Sequence, residues 1–283
     1  MTRLLENHEA KVWLLLRLGV CLEFIGHGAF GVITKAAWLP YFAVWGIPEG
    51  IAWKLMPIVG IVDIVLAFMV LFTPRKALLL YMALWGLMTA CLRPLAGEPV
   101  SELFERAYNY AVPCAAFLMV LWDSKHHGWW HRVKNAPTLS TKRWRMLKIL
   151  LQLAVGVYLI GHGAFGAFDG KVGLAGQYDA TGLSALFGST GAAMSAIGWF
   201  EIALGVLVLA LPVAPLLFFV GAWKIATESL FIFSGAFYSG FEFMERGASM
   251  VAPIALYFVI EIIAARQLMA AGQSANVAIA DSR

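Results

Sequence analysis

The chain has 283 residues, 61% of them hydrophobic and 13% charged, with a mean hydropathy of +0.77. A water-soluble domain carries about 25% charged residues, so a soluble globular fold, a disordered chain, a coiled coil and a nucleic-acid-binding protein are excluded. The net charge of +4 then reports how basic residues are distributed across a membrane rather than an anionic partner.

From the N-terminus, Glu6, His8 and Glu9 precede the first apolar run and no small-residue cleavage site follows it, which reads as a retained helix rather than a signal peptide. Apolar stretches long enough to cross about 30 Å of hydrocarbon begin near Val12, Leu55, Ala77, Ala107, Ile149, Ala192, Pro215 and Ser249. The expectation is therefore an all-α integral membrane protein with eight transmembrane helices in the bilayer. Cys21, Cys91 and Cys114 all lie in apolar runs without a CxxC pair and read as small buried hydrophobes.

The second half repeats the first. Ile25-Gly26-His27-Gly28-Ala29-Phe30-Gly31 recurs letter for letter as Ile160-Gly161-His162-Gly163-Ala164-Phe165-Gly166, 135 residues later. Gly60 and Asp63 answer Gly198 and Glu201, and Trp85 and Thr89 answer Trp223 and Thr227, at an offset of 138. Glu102, Glu105, Arg106 and Pro113 answer Glu242, Glu245, Arg246 and Pro253 at 140. Offsets that rise slowly in a fixed order mark a duplicated four-helix unit. Four crossings return the chain to its starting side, so the expected arrangement is two parallel four-helix repeats, residues 1–123 and 149–270, joined by a linker at 124–148 and followed by a tail at 271–283.

The linker from Ser124 to Lys148 holds seven Lys or Arg and no acid, which places it in the cytoplasm. With Arg3, Lys11, Arg17, Arg75, Lys76, Arg266 and Arg283 it puts fourteen of the 21 basic residues on one side, so both termini are expected to be cytoplasmic in a multi-pass protein of the inner (plasma) membrane. Loops near 35–53, 93–108, 168–190 and 235–247 then face outward. Trp129, Trp130 and Trp144 beside Lys and Arg read as an interfacial belt, a reading set against a metal cluster of His126, His127 and His131.

Ionisable groups within apolar spans are expensive and mark candidate sites. They are Glu23, His27, Asp63, His162, Glu201, Lys224, Glu228 and Glu261; Glu261, a turn before Arg266, reads as a snorkelling or paired surface group. Glu23 and His27 lie four residues apart on one helix face, where they can hydrogen-bond, with Tyr158 and His162 as their counterparts. Asp63 and Glu201 need partners, either the histidine of the same copy or the Glu-Arg pairs Glu105-Arg106 and Glu245-Arg246, which stand at an outer loop as salt-bridge, substrate or partner groups. Lys224 and Glu228 form an i, i+4 pair where the first copy has Gly86 and Ala90, so the second copy has specialised.

A small-residue first helix, an acid in the second and a polar loop leading into the fourth make each half similar to the DoxX-like superfamily of small bacterial membrane proteins. That resemblance implies a tandem pair with a quinone-linked or accessory redox role. The leading expectation is a membrane redox protein, or a subunit of a redox complex, handling a quinone or a haem b through paired histidines and carboxylates. His27 and His162 could ligate one haem if the first and fifth helices face each other. A proton-coupled small-solute transporter and a scaffold subunit contacting another membrane protein are the alternatives.

Overall fold

The computed structural model describes residues 2–125, 128–235 and 238–281, with the side chains of Thr2, Leu4 and residues 273–281 left aside. His126, His127 and Arg283 of the sequence analysis lie outside the described residues. Among the described residues every regular element is helical. The first half contains α1 (Thr2–Val32), α2 (Leu39–Val44), α3 (Glu49–Phe72), α4 (Lys76–Leu95), α5 (Ser101–Glu105) and α6 (Ala107–Leu121). The second contains α7 (Thr141–Ala164), α8 (Val172–Ala180), α9 (Leu183–Leu186), α10 (Thr190–Ala210), α11 (Ala214–Phe233), α12 (Ser239–Glu245) and α13 (Gly247–Asp281).

Seven of the helical segments are long and apolar enough to cross a bilayer, as in a multi-pass membrane protein, where the sequence predicted eight. The difference is α6, whose 15 residues reach only about 22 Å at 1.5 Å per residue, short of about 30 Å of hydrocarbon. Local signals place several ends. Ser140 caps α7 by accepting a hydrogen bond from the Arg143 backbone N–H, and Ser189 does the same for α10 through Ala192, at 3.2 Å. A π-helical turn, Phe165–Asp169, extends α7 past His162 and stops at Gly170, whose φ of +58° is left-handed. At the other end of the chain, the expected tail at 271–283 continues α13 as far as Asp281, in line with its alanine-rich sequence.

Small residues set the packing. In a bilayer, helices associate through close van der Waals contact more than through the hydrophobic effect, so glycine faces meet. A Cβ on Gly28 would lie 2.6 Å from the Gly60 carbonyl oxygen, and one on Gly163 would lie 2.5 Å from that of Gly198. Thus α1 rests on α3 and α7 on α10. Gly26 abuts the backbone of α12 at Glu245, and Gly161 abuts the backbone at Glu105, the end of α5, so each glycine-rich helix also touches an element of the opposite half. By contrast α3 and α4 hardly touch although they are consecutive, and the same is true of α10 and α11; α4 lies on α6 and α11 on α13.

Ion pairs cross between the halves in both directions. Lys35 donates to Glu242 at 2.7 Å, and Lys171 donates to Glu102. At the end of the bundle near the chain termini, Arg266 pairs with Glu9 from α1, not with Glu261 as its spacing suggested, because α13 packs along α1 there. Ile58, Ile61, Val65, Phe68 and Phe72 on α3 are exposed and form an apolar outer face suited to lipid.

Gly161→Ala and Gly28→Ala are expected to destabilise the protein by about 1–3 kcal/mol each, through forced separation of backbones. Gly176→Ala, where a Cβ meets open space, should stay within about 0.5 kcal/mol of the parent. Denaturation of the three variants in detergent checks the difference.

Candidate functional site

His27 lies near the end of α1, and the Gly28–Gly60 contact brings α3 close enough for Asp63 to reach it. The Asp63 Oδ2 to His27 Nδ1 distance is 2.8 Å, and the imidazole stacks on Trp38 with 4.5 Å between centroids. With Nδ1 held by a carboxylate, Nε2 is the nitrogen left for a ligand. The ring lines a cavity of about 410 Å³, cavity A. Its walls are aromatic, from Trp38, Tyr41, Trp45 and Trp85, and the polar groups lining it include His27, Arg93, Arg106, Asn109 and Glu245. Cavity A lies where α3 and α4 stand apart, beneath α2.

The second half builds the same pair from α7 and α10, with His162 Nδ1 against Glu201 Oε2. Glu201 Oε1 also accepts from the Trp223 indole N–H at 2.8 Å. In the first half the equivalent atoms, Trp85 Nε1 and Asp63 Oδ1, are buried without a hydrogen-bond partner among the described residues, because Asp63 is one methylene shorter than Glu201. His162 lines a smaller cavity of about 240 Å³, cavity B, with Tyr178, Glu228 and Arg246. Trp38, Tyr41, Arg93 and Arg106 border both cavities.

Between the cavities runs a buried charge network. Lys224 is 0% exposed; its Nζ lies 2.8 Å from Glu228 and 3.4 Å from Glu201. Glu228 accepts from the Tyr158 hydroxyl at 2.7 Å and lies 3.3 Å from Arg246 Nε. Arg106 lies 3.2 Å from Glu105 and 3.4 Å from Glu245, while Arg246 lies 3.8 Å from Glu105 and 3.7 Å from Glu245. The two Glu-Arg pairs therefore interlock, each arginine facing both glutamates. Such charges are tolerable in a low dielectric only because each is paired.

Outside the membrane-spanning segments, pairing and burial shift titrations in opposite directions. Burial would raise the Glu105 carboxyl, but Arg106 and Arg246 hold it well below the usual carboxylate range. Glu98 behaves likewise: burial opposes ionisation, and Arg93 outweighs it and lowers the carboxyl. Burial pushes the Lys171 ammonium down and the Tyr41 phenol up.

The structure joins the predicted site residues other than Glu23 in ion pairs and hydrogen bonds, with changed partners, and leaves Glu23 outside both cavity linings. Glu23 is not the partner of His27: Asp63 takes that place across the glycine contact, and Glu23 Oε2 is buried without a hydrogen bond among the described residues. Tyr158 stacks beside His162, centroids 5.8 Å apart, but its hydroxyl serves Glu228. Bis-histidine ligation of one haem needs α1 and α7 face to face. Instead α1 packs chiefly on α3 and α13, α7 packs chiefly on α10, and each imidazole opens onto its own cavity, so the arrangement does not fit a single shared haem. Among the described residues no group of three or more His, Cys, Asp or Glu side chains is arranged to hold a metal ion.

Residues absent from the predicted site are Lys35, Trp38, Tyr41, Trp85, Arg93 and Lys171. Some signal existed, since Lys35 and Lys171 follow the two copies of the repeated heptapeptide by four and five residues, and Tyr41 and Tyr178 are 137 apart. Comparison with protein-family models, curated proteins and solved structures finds no match to the chain.

Two outcomes follow from the charges. Lys224→Met leaves Glu201 and Glu228 undercompensated and is expected to cost about 3–5 kcal/mol, while Lys224→Met/Glu228→Gln recovers most of the loss; denaturation of both variants in detergent reads this. Glu98 and Glu105 have folded values below their ordinary one, so they stabilise the fold above the ordinary carboxylate range and lose that contribution as pH falls through the lowered values. The melting temperature is expected to decline below about pH 4, less steeply in Glu98→Gln.

Proposed function

We propose that the chain is a redox protein, or a subunit of a redox complex, that binds a quinone-class molecule in cavity A and exchanges a proton with it at His27. In this reading it has eight crossings in two parallel repeats, with both termini and the basic linker in the cytoplasm, in an inner (plasma) membrane, as the apolar runs and the basic residues suggest, and its redox role is the one the DoxX-like resemblance implies. The observation that carries the proposal is the imidazole with Nδ1 fixed by Asp63 and its ring lining a large aromatic cavity. Flat apolar ligands suit such walls, and a few convergent polar groups fix their orientation.

Interconversion of a quinone and its quinol moves two electrons and two protons. His27 Nε2 gives or takes one proton at a ligand oxygen, with Asp63 stabilising the imidazolium, and the second proton passes between the other ligand oxygen and water. Electrons pass to or from a partner redox protein. Arg106 and Asn109 line the same cavity and orient the ring oxygens.

A second reading, proton-coupled transport of a small solute, draws on the buried network of Glu201, Lys224, Glu228 and Arg246. The two readings separate by ligand. A short-chain ubiquinone analogue is expected to quench tryptophan fluorescence saturably in the purified protein, since Trp38, Trp45 and Trp85 line cavity A. His27→Ala should weaken that binding at least tenfold and His162→Ala by less than threefold. Absence of saturable quenching, with solute-driven proton uptake in proteoliposomes, would favour transport.

A further inference from the structure

The two cavities occupy equivalent places. His27, Thr89, Leu92 and Arg106 border cavity A, and His162, Thr227, Leu230 and Arg246, their counterparts at offsets of 135 to 140, border cavity B. Each also takes one glutamate from the opposite half, Glu245 in cavity A and Glu105 in cavity B. Two ligand sites of one design would be expected to bind two molecules of one kind. Two equivalent pairs differ in chemistry: Arg93 borders cavity A where Phe231 borders cavity B, and Ala90 borders cavity A where Glu228 borders cavity B; Arg93 also borders cavity B, so the second pair is the one that separates the two cavities.

Neither side chain is free to move aside. Ala90 is 1% exposed on α4. Glu228 is also 1% exposed, and its carboxylate is anchored by the Tyr158 hydroxyl, Lys224 and Arg246. An apolar ring pushed into cavity B would have to displace this carboxylate from three partners inside a low dielectric, at a cost that apolar contact does not return. The volumes agree with that obstruction, about 410 Å³ against about 240 Å³.

The first half cannot carry the same pair. Lys224 corresponds to Gly86, and a Cβ on Gly86 would run into the Asn109 backbone carbonyl, because α4 lies directly on α6. No lysine fits one turn before position 90, so a carboxylate there would lack the ammonium that neutralises Glu228. Close packing of α4 on α6 thereby keeps position 90 free of a carboxylate.

We propose that Ala90 and Glu228 are the specificity-determining residues of the two cavities: Ala90 admits the lipophilic ligand to cavity A, Glu228 excludes it from cavity B, and the chain binds one such molecule. The proposal rests on the reading of cavity A as the site of a quinone-class ligand.

The test is calorimetric titration of the full-length protein in detergent with a short-chain ubiquinone analogue. Wild type is expected to bind one molecule per chain. Ala90→Glu should lose at least tenfold in affinity, and Ala90→Ser should stay within about twofold of wild type. Ala90→Leu adds bulk without charge and provides the measurement should Ala90→Glu not fold; its affinity should fall at least fivefold, with unchanged helical circular dichroism and elution volume. Two molecules per wild-type chain, or Ala90→Leu binding within twofold of wild type, overturns the specificity assignment while leaving the ligand reading in place. A wild-type protein that binds none overturns both.

Discussion

Backbone contact at four glycines governs this molecule. Gly28 and Gly163 let α1 and α7 come against Gly60 and Gly198, and only at that separation can a side chain as short as aspartate span the gap to a histidine on the next helix. Any side chain on either surface would part the helices, and the imidazoles would lose the carboxylates that fix their orientation. The histidine and the small residues around it are thus parts of one device, in which steric absence places a polar pair within an apolar layer.

Polarity is then distributed by what each half can neutralise. The second half builds an extended network through Lys224, Glu228, Tyr158 and Arg246, and its cavity is small and charged. In the first half the close approach of α4 to α6 leaves no room for the lysine, and the corresponding space is aromatic and larger. Divergence between equivalent sites follows from a packing choice at Gly86 and Lys224, and the difference in lining chemistry is its result.

Much of this was legible in the sequence. The repeated heptapeptide announced both histidines, the matching offsets singled out Asp63 and Glu201, and the interlocked Glu-Arg pairs were visible as a spaced repeat. The error over Glu23 has a physical source: i, i+4 spacing permits a contact along one helix, but a backbone-to-backbone glycine contact offers His27 a partner across helices, and spacing within one segment carries no information about the neighbouring segment. The aromatic walls were hidden for a related reason. Trp38 and Tyr41 lie in a short helical connection with no sustained period, and only the tertiary path of that connection places Trp38 on His27 and Tyr41 in the same cavity wall. The length of α6 was over-read: the apolar run that begins near Ala107 ends where the helix ends, at Leu121, just before the basic linker.

The crossed pairs Lys35–Glu242 and Lys171–Glu102 bear on how the protein is made. Synthesis delivers the first half to the membrane while Glu242 and Arg246 are still unmade, so Lys35 and Glu105 emerge without those partners and Gly26 faces a vacancy that α12 will fill. A first half without the second leaves the Lys35 ammonium unpaired, whereas Glu105 keeps Arg106. A chain interrupted within the 124–148 linker would therefore leave each fragment without charges that the other half supplies to its site.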